Sequence, residues 1–66
     1  MEAEGRVLEA LPNDLFRVEC EHGRKIIASL GGTARQASVR IVPGDRVLVQ
    51  ISSLDPGRGK IKQRLI

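Results

Sequence analysis

"LFRVECEHGRKIIASL", Leu15 to Leu30, is the stretch from which the fold is read. Phe16, Val18 and Cys20 alternate with Arg17 and Glu19, the two-residue period of a half-buried strand. Gly23 then stands where a hairpin turn needs a positive φ, and the alternation resumes through Ile26, Ala28 and Leu30. Upstream, "GRVLEAL" (Gly5 to Leu11) reads as a first strand that ends at the turn formers Pro12 to Asp14. Downstream, "PGD" (Pro43 to Asp45) is another turn, after which Val47, Val49 and Ile51 alternate with Leu48 and Gln50. "DPGRG" (Asp55 to Gly59) is the last loop and leads into "KIKQRL". One segment breaks the pattern. "GGTARQASVRI" (Gly31 to Ile41) carries little apolar bulk, and "TARQAS" within it has room for about a turn and a half of helix. Val39 and Ile41 return the chain to the core. Five strands interrupted once in this way predict an all-β chain: a five-stranded OB-fold barrel with a short helix between strands 3 and 4.

At 66 residues the chain has room for one core, so residues 1–66 form a single domain, with 1–4 and 65–66 as expected flexible ends. Cys20 is the only cysteine and has no intrachain partner for a disulfide, which suits a reducing compartment. The amino end is acidic and lacks a long apolar run, so it reads as neither a signal peptide nor a membrane span. These features predict a cytoplasmic monomer with no membrane contact.

The net charge of +3 is unevenly spread. Residues 1–23 hold six acids against two arginines, whereas residues 24–66 hold nine lysines or arginines against two acids. Segregation of this kind suits one positive face and a polyanionic partner such as nucleic acid, although charges also serve solubility alone.

Catalysis finds no support in the residues. His22 is the sole histidine and sits in the "EHG" turn, facing solvent. A structural zinc site needs roughly four Cys or His ligands, and the chain has one of each. Cys20 lies in the inward phase of its strand, as a packed thiol and not a nucleophile. "GRGK" (Gly57 to Lys60) lacks the spacing of a phosphate loop and precedes a strand, and Ser52 and Ser53 have no partnered base. The reading is a binding protein without metal or cofactor.

The binding chemistry lies at the carboxyl end. On a regular strand Lys60, Lys62 and Arg64 fall on one face, about 6.5–7 Å apart, with Ile61, Gln63 and Leu65 opposite. Arg58 precedes them, and no acid intervenes. Such a row matches the spacing of successive phosphates; its other use is to guard an edge strand against self-association. Arg35 and Arg40 add two cations on the irregular segment. The one aromatic, Phe16, is in the core phase, so base stacking of the usual single-strand kind is not provided. Contacts to phosphates on an already folded RNA remain.

"GRVLEALPNDLFRVECEHG" followed by "GGTARQASVRIVPGDRVLVQISSLDPGRGKI" resembles bacterial translation initiation factor one, in register from about Gly5 to Arg64. The most specific pieces are "LPN…FRV" (Leu11 to Val18), "VRIVPGDRV" (Val39 to Val47) and "GRGKI" (Gly57 to Ile61). The resemblance implies an OB-fold that binds small-subunit rRNA in the aminoacyl site, contacts a ribosomal protein at the decoding centre and assists the other initiation factors. Arg35, Arg40, Arg58, Lys60 and Arg64 match basic positions of that family, and Arg24 stands where relatives often carry a histidine. Thr33 and Gln36 replace two lysines, Ala34 a methionine, Ala37 an asparagine and Ser38 a ring. Lys62 adds a cation, and Leu65 and Ile66 replace a basic tail. These departures describe a divergent or paralogous copy. The alternative function is a general RNA-binding or RNA-chaperone domain without ribosome specificity; an interaction module with no nucleic-acid role stands third.

Overall fold

The first strand determines how the barrel closes. In the computed structural model, which describes residues 1–31 and 40–65, β1 spans Glu2–Leu11 and serves two neighbours. Its amino half pairs antiparallel with β4 (Arg46–Ile51), and its carboxyl half pairs with β2 (Leu15–Glu19). A bulge between Val7 and Glu9, at Leu8, lets one strand bend between the two directions. β3 (Lys25–Leu30) pairs antiparallel with β2 and parallel with β5 (Arg58–Arg64), and β5 returns antiparallel to β4. The order β1-β2-β3-β5-β4 closes on itself and leaves no open edge, the arrangement of an OB-fold.

The alternation read from the sequence sorts the side chains as expected. Val7, Val18, Ile26, Val47, Val49 and Ile61 are fully buried, joined by Phe16, Cys20 and Ala28, and no charged or polar residue is buried among the described residues. Ile41 is buried as well and delivers the chain back to the barrel. The turns use backbone conformations that suit their residues. Asn13 and Asp14 have φ of 65° and 59° in the first turn, and Gly44 has φ of 96° in the "PGD" turn. That turn is docked: the amide of Gly44 donates to the carbonyl of Val7, and the amide of Val7 donates to the carbonyl of Asp45.

Both ends of the described chain are hydrogen-bonded to the barrel, and one expectation falls outside the described residues. Glu2, Ala3 and Glu4 pair with Gln50, Val49 and Leu48. Leu65 is likewise held, its amide donating to the carbonyl of Arg46. The short helix expected between the third and fourth strands falls on residues 32–39, outside the described residues. Among the described residues the one helical element is a 3-10 turn, Glu21–Gly23, between β2 and β3. Gly23 has the expected positive φ (72°), and His22 shares it at 61°. No helix among the described residues is long and apolar enough to cross a membrane.

Candidate nucleic-acid interface

The outward phase of β3, β5 and β4 builds the site. Lys60 pairs sideways with Ser29 of β3 and Gln50 of β4, and Arg58 pairs with Ile27. These side chains share the outer surface with Leu15 of β2 and Lys62, around an open groove of about 710 Å³. The loop between β4 and β5 forms one wall through Ser52, Ser53 and Leu54. Arg58, Lys60 and Lys62 line the groove and, among the described residues, no carboxylate does, so its field is positive. Gly59 permits the crossing beneath it: a β-carbon there would lie 2.7 Å from the carbonyl oxygen of Gln50 and 2.9 Å from Cγ1 of Val49.

The row of cations read from the sequence is split. β5 carries a bulge: Ile61 opposes Val49 and Gln63 opposes Leu48, which leaves Lys62 as the extra residue. The phase reverses beyond it. Gln63 faces outward with Leu48, and Arg64 falls opposite the buried Val47, at the end of the barrel. There its Nη1 donates to the carbonyl of Arg40 at 3.3 Å and lies 4.0 Å from Oδ2 of Asp45. The expected row of Lys60, Lys62 and Arg64 is therefore two groups. Arg58, Lys60 and Lys62 share the groove, whereas Arg64 and Arg40 share the barrel end. Arg35 lies outside the described residues.

The wall loop is built by its own side chains. Oγ of Ser52 accepts from the amides of Leu54 and Asp55, both at 3.2 Å. Oδ1 of Asp55 accepts from the amide of Gly57, and Oδ2 of Asp55 lies 3.7 Å from Nε of Arg58. Arg24 braces the loop from β3's side, its Nη2 donating to the carbonyl of Pro56 at 3.1 Å. Arg24 is thus placed beside the groove, not in it. Sequence reasoning passed over Ser29, Gln50 and Ser52 as groove groups. Their only signal was polarity at outward positions, which any solvated sheet shares.

Glu4, Arg6, Glu19, Glu21 and Arg46 surround a second, mixed-charge cleft of about 400 Å³. Cys20 lies against it but is only 8% exposed. Burial raises its pKa above a thiol's ordinary value, against the opposing pull of Arg24 and with a further push from Glu21. His22 is exposed in its turn. Among the described residues no three His, Cys, Asp or Glu come together as a metal site.

A family model described as "Translation initiation factor 1A / IF-1" matches residues 1–66. Among solved structures, the chain is similar to translation initiation factor one from the Wolbachia endosymbiont (strain TRS) of Brugia malayi. The two are 40% identical with a TM-score of 0.83, over 100% of this chain and 78% of that one. It is also similar to part of YjeQ from Thermotoga maritima, 30% identical with a TM-score of 0.81, over 100% of this chain but only 23% of YjeQ.

Proposed function

Since the chain belongs to the translation initiation factor 1A / IF-1 family, whose members are non-catalytic, we propose that it occupies the aminoacyl site of the small ribosomal subunit through contacts to rRNA phosphates. The observation that carries this reading is the groove whose lining holds Arg58, Lys60 and Lys62 and, among the described residues, no carboxylate. Phosphate oxygens meet Lys60 and Lys62 there, neither of them in an ion pair among the described residues, together with Arg58, which also faces Asp55, on a β-surface that cannot collapse onto them. Arg24 serves by bracing the loop, with its guanidinium still at the rim. Arg40 and Arg64 form a second contact at the barrel end, and Arg35, outside the described residues, is assigned to phosphate binding on the family resemblance alone. A ribosomal protein at the decoding centre and the other initiation factors complete the assembly, and the factor acts in the cytoplasm as a monomer.

Co-sedimentation with purified small subunits tests the reading. Saturable binding of one copy per subunit is expected, with protection of decoding-centre adenines from chemical modification. Equal binding to any RNA of similar length would instead support a general RNA-binding domain. Lysines restored at Thr33 and Gln36 should tighten binding if that segment faces RNA.

A further inference from the structure

We infer that Leu54 is an apolar wedge that packs against rRNA bases at the end of the phosphate groove. The inference rests on the proposed binding of the small subunit and adds to it a contact with a base. Leu54 is 95% exposed, the largest exposure of any bulky apolar side chain among the described residues. A leucine on a slack loop can fold back onto the nearest apolar surface, but this loop is held. The amide of Leu54 itself donates to Oγ of Ser52, the next amide does the same, and Asp55 ties Gly57 and Arg58 behind them. Arg24 fixes the far side of the loop through Pro56. The side chain is presented to solvent by a preorganised turn.

Its surroundings indicate the partner. Leu54 stands on the wall of the groove, whose floor is part apolar, with Leu15 and Ile27, and whose charged groups are Arg58, Lys60 and Lys62. A polyanion held on those cations lies beside the leucine, and the apolar parts of a polyanionic nucleic acid are its base faces. Proteins that insert Leu, Ile or Met between base steps use this combination, an apolar wedge flanked by cations that hold the backbone. Neutral apolar surface on a protein partner would not call for three cations in the lining beside it. Phe16 is in the core, 8% exposed, and the exposed ring of His22 lies in the 3-10 turn and not in the groove lining, so no ring there is available for the task.

The experiment compares Leu54→Ala and Leu54→Phe with wild type in co-sedimentation with purified small subunits across a salt series. Leu54→Ala is expected to bind roughly tenfold more weakly at every salt concentration, with an unchanged salt slope, because it removes apolar burial and no phosphate contact. Leu54→Phe is expected to bind at least as tightly as wild type. A photoreactive amino acid at position 54 should crosslink to an rRNA nucleotide on the intact subunit. Crosslinking to a ribosomal protein, or wild-type affinity in Leu54→Ala, overturns the wedge alone. Failure of the wild-type chain to bind subunits overturns the functional reading and the wedge with it. Thermal unfolding of Leu54→Ala should match wild type, which separates a lost contact from a lost fold.

Discussion

A β-carbon on Gly5 would lie 2.5 Å from Cγ1 of Val18 and 3.0 Å from the carbonyl oxygen of Glu19. Val18 is fully buried and Glu19 is in the β1–β2 ladder, so neither can yield without opening the barrel. Gly5→Ala should destabilise the domain by about 1–3 kcal/mol, as overpacking does, and lower its urea midpoint accordingly. An unchanged midpoint would mean that β1 can slide. In the sequence Gly5 was only the first letter of a strand. Its role depends on residues thirteen and fourteen positions away, brought close by closure, and no local pattern records that. Cys20, by contrast, was legible, because its phase placed it inward. Burial makes its folded pKa higher than the unfolded one, so the folded chain holds more protons than the unfolded chain between the two values. Stability from this residue is therefore full below the ordinary thiol value, about 8.5, and declines as pH rises through the folded value. Urea midpoints of wild type should fall over that alkaline window more steeply than those of Cys20→Ala.

The five strands could be read from alternation because each has one face in the core, and burial imposes a period of two. The bulges could not. Leu8 and Lys62 are set by the need to bend β1 between two partners and to fit β5 against β4, which are demands of the closed sheet. This is why the expected cation row is divided: Lys60 and Lys62 lie at the groove, and Arg64 is turned away beyond the bulge. The β4–β5 loop shows the opposite case, a local device with a visible cause. Ser52 accepts from two successive amides, and Asp55 accepts from a third two residues on, the side-chain turns that Ser and Asp favour. Ser52→Ala should leave the barrel intact, costing about 0.5–1.5 kcal/mol at most. Its signature is local: hydrogen exchange at the amides of Leu54 and Asp55 should accelerate, while core amides such as Val49 should change little beyond that small loss. Equal acceleration throughout would show that the loop does not hold itself.

At the scale of the whole molecule, the split between an acidic first third and a basic remainder becomes two distinct surfaces. The β1–β2 side and the 3-10 turn put Glu4, Glu19 and Glu21 around Arg6 and Arg46. The β3–β5 side places three cations on a groove that no carboxylate of the described residues lines. If the long-range field alone held RNA, loss of any exposed cation would weaken binding alike. If the groove holds phosphates, position decides. Each phosphate contact removed should lower the slope of log affinity against log salt by roughly 0.7–0.9. The double variant Lys60→Ala/Lys62→Ala should thus reduce the slope for small-subunit binding by roughly 1.4–1.8 and weaken binding most at low salt. Arg46→Ala removes the same type of charge from the mixed cleft, where Glu4, Glu19 and Glu21 already balance it, and should leave the slope unchanged within error. Equal slopes for the double variant and Arg46→Ala would mean that net charge, not the groove, carries the interaction, and the phosphate contacts assigned to Lys60 and Lys62 would have to be withdrawn.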